Sequence, residues 1–260
     1  MNILEKIAAT KRKEVEAMKR MVPEKNLKTE AFSVLRSTLS LSRSILARSP
    51  GIIAEHKRRS PSKGEIRPMS EVGEIAASYY DNGAAAMSVL TDTPYFGGSL
   101  VDLAVARQAA PRLPLLRKEF IVDEYQIYQS RIMGADAILL IAAMLRRDEI
   151  AKFNDVAHSL GLETLVEVHN VDEIASVPDD ADMVGVNNRD LTSFSTDINN
   201  SARLVEMLPV GSVKVAESGI KSPEDISRLR GDGFDGFLIG EAFMSAPDPG
   251  AELRRFIDQG

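Results

Sequence analysis

From residue 50 onward the chain alternates short, almost wholly apolar runs with stretches in which apolar residues recur every three or four positions. The short runs cover residues 52–55, 85–90, 113–118, 137–141, 164–168, 183–187, 213–217 and 236–239. Such runs, bounded by turn residues, read as parallel strands covered by helices on one face and packed into a barrel interior on the other. The intervening stretches, among them Val72-Ile75-Ala76-Tyr79 and Ile226-Leu229, carry the 3.6-residue spacing of amphipathic helices. Gly83, Gly134, Gly161 and Gly233 each stand just before a predicted strand, where a helix C-terminus favours a left-handed residue. Ser222-Pro223-Glu224-Asp225 reads as a helix start, with a capping serine, proline at the first helical position and an acidic first turn.

Eight β/α units in succession predict an α/β fold, a TIM (β/α)8 barrel with an N-terminal helical extension. A doubly wound open sheet usually has fewer strands and carries a glycine-rich dinucleotide turn, which is missing here. The 260 residues fit one barrel domain spanning 1–260, with 1–47 as the extension. In that extension Ile3, Leu4, Ile7, Val15 and Met18, interleaved with Lys and Glu, predict a helix broken by Pro23. A second helical stretch is expected over 32–46. The spacing supports helix but not location, and either end of the barrel would accept the apolar face.

Composition narrows the picture modestly. Hydrophobic residues make up 44% and charged residues 27%, an ordinary globular balance. The chain has no cysteine, which excludes disulfides, thiolate metal sites and thiol nucleophiles and fits a reducing compartment. A net charge of −6 argues against nucleic acid as a partner. His56-Lys57-Arg58-Arg59 is therefore read as a strand-end cluster rather than a nucleic-acid patch. The longest apolar run, 137–145, is far short of a membrane span. The opening Met-Asn-Ile-Leu-Glu-Lys has neither the apolar core nor the cleavage site of a signal peptide, so a cytoplasmic protein without membrane contact is expected. His56, His158 and His169 show no paired ligand spacing, and no metal site is expected. Met133, Met144 and Met207 read as core filler.

In a barrel of this kind the active site lies at the C-terminal ends of the strands. Polar residues there stand out against the apolar strands behind them. Strand one ends Glu55-His56-Lys57, whose i, i+2 spacing puts Glu55 and Lys57 on one face and His56 on the other. Strand three ends Lys118-Glu119, strand five Glu167, strand six Asn187-Asn188-Arg189 and strand seven Glu217-Ser218-Gly219. A rim salt bridge accounts for any one of these, but a convergent set of seven, Glu55, Lys57, Lys118, Glu167, Asn187, Arg189 and Glu217, is not needed to close a barrel. The turns Ser218-Gly219 and Gly240-Glu241 read as a phosphate cradle, with Lys57 as countercharge, although glycine is also the ordinary residue for a tight βα turn. An acidic protein would hold an anionic substrate in such a locally basic pocket.

The run Ile52-Ile53-Ala54-Glu55-His56-Lys57-Arg58-Arg59-Ser60-Pro61-Ser62-Lys63-Gly64 resembles the signature of the indole-3-glycerol-phosphate synthase family. The likeness continues, in order, through Ser88-Val89-Leu90-Thr91-Asp92, Tyr95-Phe96-Gly97-Gly98-Ser99 and Leu116-Arg117-Lys118-Glu119-Phe120. It then runs through Val184-Gly185-Val186-Asn187-Asn188-Arg189-Asp190-Leu191, Ala216-Glu217-Ser218-Gly219-Ile220 and Phe237-Leu238-Ile239-Gly240. The resemblance implies the substrate 1-(2-carboxyphenylamino)-1-deoxyribulose 5-phosphate, closed to an indole with loss of carbon dioxide and water. It implies no cofactor, and other enzymes of tryptophan biosynthesis as partners. Lys118 then matches the family's principal general acid and Glu167 its partner in proton transfer. Glu55, Lys57, Asn187 and Glu217 match further active-site positions. Arg189 and Ser60 match residues around the anthranilate part, and Phe96, Phe120 and Leu139 its apolar walls. Lys57, Ser218, Gly219, Gly240 and Glu241 match phosphate-binding positions. The resemblance also favours residues 1–47 as a flap over the mouth.

The chain departs from the family pattern at His56, Arg59, Glu119 and Glu241. The acidic Glu241 limits that position to its backbone N–H in phosphate binding. Three other readings remain open on residues alone. One is a Schiff-base aldolase with Lys118 as nucleophile. Another is a phosphosugar isomerase of the same pathway, excluded if its base is a thiol. The third is a non-catalytic phosphate-ligand binding module.

Overall fold

The computed structural model of the chain describes residues 3–189 and 196–260, so Asp190 and Leu191 of the family-like motif lie outside the described residues. The apolar runs form strands β1 (Gly51–His56), β2 (Ala86–Leu90), β3 (Leu115–Lys118), β4 (Ala137–Ile141), β5 (Glu163–Val168), β6 (Met183–Asn187), β7 (Val213–Glu217) and β8 (Gly236–Ile239). All pair in parallel with their sequence neighbours, and β8 returns to β1 to close the barrel. Because side chains alternate along a strand, each run feeds two cores. Ile53, Leu116, Leu139, Leu165, Val215 and Leu238 form the barrel interior. Ile52, Leu115, Ile138, Val166, Ala216 and Phe237 pack under the surrounding helices. The expected glycines do turn left-handed before their strands, with φ of 92° at Gly83 and 104° at Gly233.

The helices between strands are α4 (Val72–Asp81), α5 (Thr93–Phe96), α6 (Leu100–Ala109), α7 (Glu124–Ile132), α8 (Arg147–Ser159), α9 (Val171–Ile174), α10 (Asn199–Leu204) and α11 (Pro223–Gly231). After β8 come α12 (Glu241–Ser245) and α13 (Pro249–Gln259). Ser222 starts α11 through a capping box with Asp225, as its sequence predicts. Met207 is a correction: it is half exposed rather than core filler, because its 3-10 turn presents it to solvent.

Residues before β1 divide between the two ends of the barrel. Helix α1 (Ile3–Met21) lies at the C-terminal mouth, where Ile3, Leu4 and Ile7 face the central cavity. Pro23 breaks it, as expected, and α2 (Glu24–Phe32) follows. The helix expected over 32–46 is wrong in its first half: α2 ends at Phe32 and α3 occupies only Leu41–Leu46. The reason is capture by the barrel bottom. Arg36 donates to Asp136 at 2.7 Å and Leu39 N–H to the same carboxylate at 3.0 Å. Glu163 then accepts the N–H groups of Leu41 and Ser42, both at 2.8 Å. These bonds replace helical ones. Leu41 and Ile45 plug the bottom, fully buried. β1 and β8 begin with glycine because Ile45 Cγ2 would stand 2.7 Å from a Cβ at Gly51 and 3.0 Å from one at Gly236.

Candidate active site

The strand parity that fills the barrel interior carries upward to the mouth. Two residues beyond Ile53 comes Glu55, beyond Leu116 comes Lys118, beyond Leu165 comes Glu167 and beyond Val215 comes Glu217. Near the C-terminal end the apolar interior thus gives way to a layer of charge. Lys118 Nζ sits 2.7 Å from Glu217 and 3.5 Å from Glu55. Lys57 Nζ lies 2.6 Å from the other oxygen of Glu55. His56 points away, buried and hydrogen-bonded to Ser70 at 2.9 Å, and burial with the nearby Arg58 lowers it to about 4.

The electrostatics of this layer follow from burial against crowding. Burial opposes the charge on Lys118, but Glu217, Glu55 and Glu167 outweigh it and hold its pKa far above the ordinary lysine value. Glu55 is also buried, yet Lys57 and Lys118 keep its pKa low. Glu217 goes the other way. Burial, with Glu167 and Glu55 as like charges, pushes it up to about 7 against the pull of Lys118. An ammonium fixed among carboxylates, one of which exchanges a proton near neutrality, is suited to moving protons. It is unsuited to Schiff-base chemistry, which needs a lysine of depressed pKa.

Around this layer is a cavity with about 1140 Å³ of atom-free space open to solvent. The structure brings together Glu55, Lys57, Ser60, Phe96, Lys118, Phe120, Leu139, Glu167, Asn187, Arg189, Ser218, Gly219, Gly240 and Glu241 on its wall. Glu217 alone among the expected residues stands off the wall, fully buried behind Lys118. One side of the cavity is apolar: the rings of Phe96 and Phe120 lie 5.8 Å apart, with Leu139 and α1 close by. The opposite side holds the two turns. Ser218 and Gly219 take φ of 65° and 81°, and a Cβ at Gly219 would fall 2.4 Å from Thr196 Cγ2. A Cβ at Gly240 would fall 2.4 Å from Glu55 Oε1. The Glu241 carboxylate turns to Lys63 at 3.1 Å, which leaves its backbone N–H as the group suited to an anion.

Two residues of this neighbourhood escape the motif-based reading. Lys11 of α1 is buried, 3.0 Å from Asp92 and 3.2 Å from Glu119, and so ties the mouth helix to the loops after β2 and β3. Burial works against its charge, yet Glu119, Asp92 and Glu14 raise its pKa above the ordinary value. Its signal is a lysine in the buried stripe Leu4-Ile7-Lys11-Val15. His169 is the other, two residues beyond Glu167 and 3.4 Å from it. Among the described residues no group of three or more His, Asp and Glu side chains is arranged to hold a metal ion.

A family model described as indole-3-glycerol phosphate synthase matches residues 4–256. The chain belongs to the indole-3-glycerol phosphate synthase family. A curated relative of that name from Bacteroides thetaiotaomicron is 47% identical over 256 residues, covering 98% of each chain. Another of that name, from Dechloromonas aromatica, is 45% identical over 260 residues, covering 98% of this chain and 99% of its own. The family consists of carboxy-lyases of tryptophan biosynthesis that act on a small phosphorylated substrate. Among solved structures, the 3-hexulose-6-phosphate synthase of Salmonella typhimurium superposes with a TM-score of 0.64 at 15% identity, covering 80% of this chain and 97% of its own. That likeness speaks for the barrel alone. No helix among the described residues is long and apolar enough to cross a membrane.

Proposed function

We propose that the chain converts 1-(2-carboxyphenylamino)-1-deoxyribulose 5-phosphate to indole-3-glycerol phosphate, with Lys118 as the acid of ring closure. The observation that carries this reading is the Lys118 ammonium, fixed among three glutamates between an apolar wall and two glycine-bearing turns. The substrate has matching parts: an aryl ring for Phe96, Phe120 and Leu139, a carboxylate for Arg189 and Ser60, and a phosphate for the turns. Lys57 and the N–H groups of Ser218, Gly219, Gly240 and Glu241 bind that phosphate. We read the chain as one barrel unit, with 1–47 closing both of its ends, working in the cytoplasm beside the other enzymes of its pathway.

In the first step the electron-rich aryl carbon that bears the carboxylate attacks the substrate's carbonyl carbon, and Lys118 protonates the carbonyl oxygen as it gains charge. Loss of carbon dioxide leaves the bonding pair in the ring system. The new hydroxyl, protonated, then departs as water under the push of the anilinic nitrogen, and a proton lost from the neighbouring methylene carbon completes the indole, which keeps its N–H. Glu167 relays protons with Lys118, Glu217 reprotonates Lys118 from behind, and Lys57 with Glu55 serves the dehydration. Asn187 orients the substrate between them. Each positioned acid or base is worth roughly 10²–10⁴-fold in rate.

The test is direct. Purified protein mixed with the carboxyphenylamino-deoxyribulose phosphate is expected to develop indole absorbance and fluorescence. Absence of any indole product from folded protein overturns the reading. A carbonyl substrate trapped on Lys118 by borohydride would replace it with the aldolase.

A further inference from the structure

His169 is not used by the chemistry above, yet it is placed as if it were. It follows Glu167 by two positions, so the strand pleat brings it to the same face. Its ring is nearly buried, with side-chain exposure of 11%, and Nε2 stands 3.4 Å from Glu167 Oε1 with no closer hydrogen bond. The other ring nitrogen, Nδ1, is 3.1 Å from Glu173 Oε2. Glu173 is itself tightly held. The same oxygen accepts His169 N–H at 2.7 Å, and its second oxygen accepts the Asn170 side chain at 2.7 Å. From the other side Asn200 donates to the His169 carbonyl at 3.0 Å. The ring is thus fixed at one nitrogen and presents the other to a carboxylate.

We propose that His169, clamped by Glu173, is a positioning residue that holds Glu167 in place for proton transfer by donating to it from Nε2. With Nδ1–H committed to Glu173, the imidazolium alone has a second N–H for Glu167. The neutral ring tautomer would offer Glu167 a lone pair instead. The titratable groups that face the ring are Glu167 on β5, Glu173 on α9 and Glu217 on β7. Burial opposes the charged ring, but these three carboxylates more than offset it and raise the pKa of His169 above the ordinary histidine value. Activity is therefore supported below that pKa and declines as pH rises through it. The inference rests on the reading of Glu167 as the proton-transfer partner of Lys118.

Two measurements test it, one without substrate. NMR titration of the His169 ring, assigned by its loss in His169→Gln, is expected to give a midpoint above that of an ordinary histidine. The midpoint should fall by about one pH unit or more in Glu167→Gln, since an opposite charge at this distance has that size of effect. Unchanged titration in Glu167→Gln overturns the contact, whatever the enzyme turns over. In steady state, His169→Ala is expected to lower kcat about tenfold or more with KM within a few-fold of the parent. His169→Gln, whose amide donates at every pH, is expected to recover part of that loss and to flatten the alkaline decline. If His169→Gln fails to fold, Glu173→Gln serves instead: it should move the decline to lower pH by weakening the charge on the ring. Profiles of kcat that superimpose on the parent in these variants overturn the proposal. A parent enzyme that forms no indole would instead overturn the proposed function, leaving the titration to decide the contact.

Discussion

Lys118 and Glu217 share one hydrogen bond but answer to opposite pressures, and that difference makes both testable. The lysine keeps its proton because three carboxylates face it. Lys118→Met removes an interaction that strengthens as the carbonyl oxygen gains charge, so kcat is expected to fall at least about 100-fold while KM changes little. Steady-state kinetics decide; a kcat within a few-fold of the parent would falsify the acid role. Glu217 bears on stability as well. Its folded pKa of about 7 lies above its ordinary 4.5, so between those values the folded state holds a proton that the unfolded chain has lost. The stability it lends is complete below pH 4.5 and is lost as pH rises through 7. Glu217→Gln is expected to flatten the fall of stability across that window, whose slope for one proton is at most about 1.4 kcal/mol per pH unit. Urea unfolding at several pH values measures it, and equal slopes in parent and variant would remove the proton from Glu217.

At the scale of elements, the same alternation that built the interior also built the site. All eight strands were legible because each is a short apolar run whose inner and outer faces are both buried. The polar residue at i+2 beyond the last inner hydrophobe marked the mouth in four of them: Glu55, Lys118, Glu167 and Glu217. The same rule extended one step further reaches His169, which attention to metal-type spacing alone passes over. Residues 33–40 were illegible for another reason. Their extended course is dictated by Asp136 and Glu163, carboxylates distant in sequence that capture backbone and side-chain donors. Local periodicity carries no trace of such partners. The turn after β7 yields its own prediction. Gly219 has φ of 81° and no room for a Cβ beside Thr196, so Gly219→Val strains the backbone and crowds the cradle together. KM is expected to rise about tenfold or more, and inorganic phosphate, a competitor of the parent, is expected to compete more weakly with the variant. Failure of phosphate to compete with the parent would remove the cradle from these turns.

At the scale of the whole molecule, the barrel is closed by one N-terminal segment acting at opposite ends. The choice between a flap and a bottom cap was undecidable from residues 1–47, since Ile3, Ile7 and Ile45 are equally apolar; in the structure both occur. Removal of residues 1–45 in one cut would therefore confuse two effects. Ile45 is fully buried against the starts of β1 and β8, and Ile45→Ala leaves a cavity where the strands converge. A loss of about 2–5 kcal/mol is expected, with kinetics close to the parent at temperatures where the variant is folded. Removal of residues 1–22 opens the other end. It strips Ile3, Leu4 and Ile7 from the cavity and Lys11 from Asp92 and Glu119, leaving Asp92 beneath the mouth without its cation and Glu119 with Arg117 alone. Water then reaches the Lys118 layer and screens the charges on which proton transfer depends. The truncated protein is expected to keep barrel circular dichroism, melt at lower temperature, and show both raised KM and reduced kcat. Lys11→Met separates latch from lid: it keeps the apolar cover but loses the ion pairs. If Lys11→Met reproduces the kinetic loss of the truncation, α1 acts through its anchorage on β2 and β3. If it lowers the melting temperature alone, the apolar cover of Ile3, Leu4 and Ile7 is what the site requires.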